Sequence, residues 1–144
     1  MPEIGEVWKH SEFYCDKDTG EPLPKYLLII GAEATGDIIY KLLTSRPNGR
    51  PCDPACYHGL PYPSYYIGIP QPSGCLCKPT WIDLRESETI DYLVFNSLLD
   101  ATIVSLEHTI SNAELVPILE CAAQSDDITK RQRDAVLDAK ERIS

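Results

Sequence analysis

The stretch KYLLIIGAEATGDIIYKLLTS, Lys25 to Ser45, decides how the rest of the chain is read. It holds two apolar runs, Tyr26–Ile30 and Ile38–Leu43, separated by a short segment carrying Gly31 and Gly36. Runs of four to eight β-branched, aromatic and leucine residues bounded by glycine predict buried strands, here joined as a hairpin. The second run ends in Thr44-Ser45-Arg46, two hydroxyls and a guanidinium where a core strand meets solvent. Polar residues terminate strands as a matter of course, but this strand end is also the first place to look for chemistry.

Outward from the hairpin, 144 residues predict one domain, 1–144, large enough to bury a core. A net charge of −9 disfavours long-range steering of nucleic acid by the whole molecule. The charge is uneven, however. Between Ile38 and Arg85 stand five basic residues (Lys41, Arg46, Arg50, Lys78, Arg85) and two acidic ones (Asp53, Asp83), a local balance of +3. Such a centre suits a small anionic or RNA site, or simply a mixed-charge solvated surface. The apolar runs fall well short of the roughly 20 residues a bilayer span needs. The start, MPEIGEVWKH, has no signal-peptide core, so the expected location is cytoplasmic, without membrane association. Six cysteines in that setting argue against a disulfide framework and for metal, redox or plain burial.

Upstream, Ile4, Val7, Trp8 and Phe13 predict a first strand around Gly5–Lys9, followed by a long polar loop through YCDKDTGEPLP. Downstream, 46–63 and 70–79 are proline-rich excursions, with short strands predicted at Tyr65–Ile69 and Thr80–Leu84. Helical spacing of Ile90, Leu93, Val94, Leu98 and Ala101 predicts a helix over Ser87–Ala101, and Thr102–Leu106 a strand. Ser111 to Glu114 and Thr129 to Gln132 are capping boxes that open two further helices. Leu115, Ile118, Leu119 and Ala122 form the apolar face of one, with Pro117 in its first turns; Val136, Leu137 and Ile143 face inward on the other. Strands first and helices last predict a small α+β domain, a partly open barrel or curled sheet packed by C-terminal helices.

Cys52-x3-Cys56-x-His58 and Cys75-x-Cys77 lie in the two proline-rich excursions. Four thiolates can close a tetrahedral zinc shell, with His58 as a substitute ligand, and a structural zinc would fix loops that have little core of their own. Free or partly oxidised thiols are the alternative. Cys15 and Cys121 lack such company and read as ordinary small residues.

Gly5-Glu-Val-Trp8, the loop through Thr19-Gly20-Glu21, Pro24-Lys25 leading into YLLIIG, and IIYKLLTS together resemble the MazF/PemK-type toxin ribonucleases. Thr80-Trp-Ile-Asp-Leu84 with Glu88-Thr-Ile-Asp91, and Thr109-Ile-Ser111 with Glu114-Leu115, are similar to that family's later strand and C-terminal helix start. The motifs are short and cover most of 1–45 and 80–122. The resemblance implies an SH3-like, mostly antiparallel barrel over about 3–106, interrupted by a Pro/Cys-rich insertion at 46–79 and followed by helices over about 111–143. It further implies a bacterial homodimer and a toxin–antitoxin setting in which an acidic antitoxin occupies the RNA groove. Cleavage in the family is of single-stranded RNA and metal-independent. The ribose 2′-hydroxyl attacks the adjacent phosphate, served by an arginine and a threonine or serine.

By residue, Thr44 matches the family threonine, with Ser45 beside it. The arginine position falls on Lys25, where proline precedes the basic residue, and lysine offers a point charge rather than a fork. Arg46 is the nearby source of a guanidinium, and His10 a candidate acid or base. The other function class is a non-enzymatic, zinc-clamped protein-interaction module, favoured by the acidic total and by Tyr57, Tyr62, Tyr65 and Tyr66 as a contact surface. Thiol chemistry at Cys75-x-Cys77 is a third.

Overall fold

The structure is a computed structural model and describes residues 2–85 and 88–144. Eight strands and three helices succeed one another along the described chain. They are β1 Glu6–Cys15, β2 Pro22–Ala32, β3 Asp37–Thr44, β4 Cys56–Tyr57, β5 Ser64–Gly68, β6 Thr80–Asp83 and β7 Glu88–Asp91, then α1 Tyr92–Asp100, β8 Val104–Thr109, α2 Asn112–Ala123 and α3 Lys130–Ile143. The sheet runs β4-β5-β6-β3-β2-β1-β8, every pairing antiparallel, with β7 added on β3. The α+β class, the antiparallel sheet and the C-terminal gathering of helices are those the sequence predicts.

The β2–β3 hairpin is the centre of this sheet, and its burial explains its unbroken apolar runs. Alternate side chains of a strand point to opposite faces, and here both faces are covered. Leu28, Ile30, Ile39 and Leu43 join Val7, Ile82 and the helical Leu115, Ile118, Leu119 and Val136 in one cluster. Leu27, Ile29, Ile38 and Tyr40 join Trp8, Val104 and Phe95 of α1 in the other. Each fully buried Leu or Ile contributes about 1.5–3 kcal/mol relative to exposure. One edge of β3 is shared: Asp37–Tyr40 pair with β7, and Leu43–Thr44 with β6. The strand end bearing Thr44 is thereby held between two neighbours.

Three expectations are corrected. The first strand is longer than Gly5–Lys9, continuing to Cys15 against Pro22–Lys25, so the polar loop is a tight hairpin turn. The Asp16 carboxylate accepts from the amides of Asp18 (2.8 Å) and Thr19 (3.0 Å), and Gly20 takes a left-handed φ of 71°. That is Asx-turn chemistry closing on itself. Ile90 belongs to strand β7; the helix begins at Tyr92, because the Asp91 carboxylate caps the amides of Leu93 and Val94. Position 87, the expected start of the longer helix, lies outside the described residues. Leu93 and Val94 are exposed, and Phe95 alone is fully buried. On α3, Leu137 is also exposed while Val136 is buried.

The two C-terminal helices start where the capping signals place them. Ser111 Oγ accepts from Glu114 N, and Thr129 and Gln132 make both halves of a capping box. The proline-rich excursion is held by hydrogen bonds to the sheet and its surroundings. Trp81 Nε1 donates to Pro51 O (2.9 Å), and Gln71 Nε2 donates to Glu107 O (3.0 Å).

A basic cleft at the strand end, and a cysteine–histidine trio

At the open end of the central hairpin lies a cleft of about 390 Å³. One residue beyond the last β2–β3 pair, Tyr26↔Leu43, the strands carry Lys25 and Thr44, and both line its wall. Ser45 and Arg46 line it too, so four of the five catalytic candidates of the sequence meet in one place. Thr44 Oγ1 accepts from the amide of Arg46 (3.2 Å), a hydroxyl turn that ends the strand and sets the direction of Ser45 and Arg46. His10 is not a lining residue. Its ring packs edge-on against Phe13 at 5.4 Å, Nδ1 accepts from Glu12 N (3.2 Å), and burial lowers its pKa.

The excursion supplies the opposite wall. Pro47-Asn48-Gly49-Arg50 is a turn with Arg50 N donating to Pro47 O (2.7 Å) and both central residues left-handed, φ 44° at Asn48 and 83° at Gly49. Asn-Gly is the dipeptide that such a turn favours. The turn folds Arg50 back into the cleft, where it is buried and donates from Nη1 to Arg46 O (2.8 Å). Its Nε finds no partner among the described residues. The guanidinium carbons of Arg50 and Arg85 stand 4.6 and 5.2 Å from the Tyr62 ring centre. Arg50, Lys78 and Arg85, read in the sequence only as part of a locally basic centre, and Tyr62, read as part of a contact surface, are lining residues that the motifs did not place here. Asn48-Gly49 was the available signal for Arg50; nothing local in the sequence announces Tyr62.

Among the described residues, five cations (Lys25, Arg46, Arg50, Lys78, Arg85) and one acid (Asp83) line the cleft, an excess of four positive charges on a chain of net −9. The crowding has consequences for Lys25. Burial, and then the charge of Arg46, lower its pKa. Arg85 chelates Asp83, with Nη2 at 2.7 Å from Oδ2. Burial works against the ionised Asp83 carboxylate, but the Arg85 hydrogen bonds and charge outweigh it, and its pKa is lowered.

Cys75 is another lining residue, and exposed. A hydrogen bond to the Glu107 carboxylate, and then its negative charge, raise the thiol pKa. The thiolate is the reactive form, so this setting works against nucleophilic chemistry there.

The structure regroups the predicted metal ligands. Among the described residues, one group of Cys, His and acidic side chains brings its ligand atoms within 4.8 Å of one another: Cys56, His58 and Cys121. These residues could hold a metal ion. Cys52, Cys75 and Cys77 are exposed and stand outside the group. Cys121 is not the ordinary small residue that it reads as in the sequence, since its sulfur is bonded to that of Cys56, linking β4 to α2 across 65 residues. His58 Nε2 lies 3.3 Å from Cys56 Sγ and 3.7 Å from Cys121 Sγ. Residues 56 and 58 are two apart on an extended segment, so both side chains reach the same side, toward the helix.

No described helix is long and apolar enough to cross a membrane. Compared with protein-family models, with curated proteins and with solved structures, the chain finds no match.

Proposed function

We propose that the basic cleft is the site of a MazF/PemK-like, metal-independent endoribonuclease acting on single-stranded RNA, in a toxin–antitoxin setting. The observation that carries this reading is the convergence of Lys25, Thr44, Ser45 and Arg46 on one cation-rich cleft. The reaction needs a base for the ribose 2′-hydroxyl, an acid for the departing 5′-oxygen, and positive charge around the phosphorane. Lys25 is the base: its ammonium form is disfavoured by burial and by Arg46, so neutral amine is available at lower pH than for an exposed lysine. Thr44 and Arg46 bracket the phosphate, the guanidinium taking up the charge of the extra oxygen bond. The 2′-oxygen attacks phosphorus as Lys25 takes its proton, the bond to the 5′-oxygen breaks, and that oxygen takes a proton relayed from water through Ser45, the hydroxide left behind recovering the proton held by Lys25. The products are a 2′,3′-cyclic phosphate and a 5′-hydroxyl. Arg50 and Arg85 hold flanking phosphates, and an acidic antitoxin-type peptide would compete for the same charges. His10, outside the cleft, has no part in this scheme.

The test is induction of the wild type and of Thr44→Ala in bacteria, with purified protein incubated with RNA in EDTA. Growth arrest and cleavage in the wild type, lost in Thr44→Ala, are expected. Silence of the wild type in both assays would sink the nuclease and leave a protein-interaction module, for which binding of an acidic peptide to the cleft is the next measurement.

A second reading is favoured by the trio Cys56, His58 and Cys121. As thiolates and imidazole they are zinc-type ligands, and a zinc ion there would clamp the two-residue strand β4 to α2.

A further inference from the structure

The disulfide and the metal clamp use the same two sulfurs, and the position of His58 makes them alternatives. In a tetrahedral zinc shell, with Zn–S about 2.3 Å and Zn–N about 2.0–2.1 Å, a sulfur and a nitrogen ligand lie ~3.5 Å apart. His58 Nε2 already stands 3.3 and 3.7 Å from the two sulfurs. Two of the three ligand separations are therefore in place while the sulfurs are bonded, and only the sulfurs must part, to about 3.8 Å. The surroundings suit reversible chemistry. Cys121 is buried on α2, whereas Cys56 and His58 are half-buried, on the short β4 and directly after it. The pair thus joins a half-buried cysteine to a buried one.

We infer that Cys56, His58 and Cys121 form a redox-gated zinc site: the dithiol holds the ion, and oxidation of the same sulfurs to the disulfide expels it. This rests on reading the trio as a metal centre. With a hydroperoxide as oxidant, Cys56 Sγ attacks the peroxide oxygen and the O–O bond breaks, giving a sulfenic acid and an alcohol, or water from hydrogen peroxide. Cys121 Sγ then displaces the sulfenic oxygen as water and forms the S–S bond. Two electrons pass from the sulfurs to the peroxide. The metal loses both thiolates, and one imidazole is too few ligands to retain it. A dithiol reductant returns two electrons, ends as its own disulfide, and restores the site. In a reducing compartment the metal form is the resting one. Both forms keep β4 tied to α2, so the change read out is metal release rather than loss of fold.

The experiment uses the full chain with Cys15, Cys52, Cys75 and Cys77 changed to serine, so that Cys56 and Cys121 are the only thiols. Reduced protein is titrated with cobalt(II), then with zinc, and afterwards treated with hydrogen peroxide in the presence of a chromophoric zinc chelator. Expected are one equivalent of tetrahedral cobalt with sulfur-to-metal absorption, and its replacement by zinc. Peroxide then releases one zinc as both thiols become inert to alkylation, and rebinding follows dithiol treatment. His58→Ala still forms the disulfide but binds cobalt at least tenfold more weakly, which reports on the site with both sulfurs left in place. If the reduced protein takes up no more cobalt than His58→Ala, the metal reading itself falls. If zinc binds but stays bound, with both thiols still alkylatable after peroxide, the metal centre stands and the gating is overturned.

Discussion

Arg50 lays its guanidinium 4.6 Å from the centre of the Tyr62 ring while one of its nitrogens holds the carbonyl of Arg46. The arrangement uses one donor of a buried arginine to shape the cleft and leaves Nε unpartnered among the described residues. An anion in the cleft gains from that donor, since a buried donor without a partner carries a desolvation cost of about 1–3 kcal/mol that a ligand removes.

Tyr62→Ala should therefore weaken binding of a short single-stranded RNA about tenfold and lower stability by roughly 1–2 kcal/mol, the range of a partly desolvated cation–π contact. Tyr62→Phe keeps the ring and should stay within a factor of about two of wild type, by the same reasoning. Fluorescence anisotropy and urea unfolding of the two variants check this. Equal losses in both would assign the effect to the hydroxyl instead.

Asp83 is the one acid among the described lining residues, bound to Arg85 through two oxygens. Asp83→Asn changes the cleft excess from four to five. RNA binding at low salt should tighten several-fold, and the slope of log K against log salt should steepen by up to ~0.7. An unchanged slope would mean that Asp83 does not sense the bound phosphates.

Two cleft groups shape the pH dependence, and since both pKa values are lowered, stability rises with pH across both windows. Asp83 has a lowered pKa, because the Arg85 bonds outweigh burial. Its contribution to stability is present above the ordinary value of 3.8 and is lost as pH falls through the lower folded value. Lys25 is also lowered, by burial and then Arg46, but for this base it is the charged form that costs stability. Its charged form is disfavoured in the folded state, and that penalty is complete below the folded pKa. The penalty disappears as pH rises from there to the ordinary 10.5. Lys25→Met should accordingly be more stable than wild type at neutral pH and lose the alkaline rise, while Asp83→Asn flattens the acid limb. Chemical denaturation across pH decides both, and an alkaline rise that survives in Lys25→Met would refute the assignment.

Elements with a strong local cause were legible in the sequence. The apolar runs of β2 and β3, the Ser111 and Thr129 caps, and the polar strand end at Thr44 each carry their reason within a few residues. Features that depend on distant pairing could not be read. Ile90 has helical spacing with Leu93 and Val94, yet pairing with Ile38 draws it into a strand, and Asp91 caps the helix after it. Cys121 meets Cys56 only because α2 packs where β4 ends, 65 residues away. The cleft was half visible. Lys25, Thr44, Ser45 and Arg46 are neighbours along the hairpin, whereas Arg50, Tyr62 and Arg85 are brought in by the excursion and β6.

Gly5 begins the motif that runs through Trp8 in the first strand, and the structure gives that glycine two physical reasons. Its φ is 93°, a region that L side chains rarely adopt, and a Cβ there would stand 2.8 Å from Leu115 Cδ2 and 3.3 Å from Ile110 O. It also donates to Ile29 O and accepts from Ile110 N, so it cannot move away without opening the junction of β2, β1 and α2. Gly20 is left-handed as well, at 71°, but nothing lies within 4 Å of where its Cβ would be. Gly20→Ala should therefore cost only the backbone term, about 1–2 kcal/mol. Gly5→Ala adds overpacking worth a further 1–3 kcal/mol or so, which shifts the melting temperature by roughly 2–4 °C per kcal/mol in a chain of this size. Melting both variants side by side separates the two costs. Equal shifts would show that Leu115 yields freely, and that the helix is not seated on Gly5 as firmly as the contact distances require.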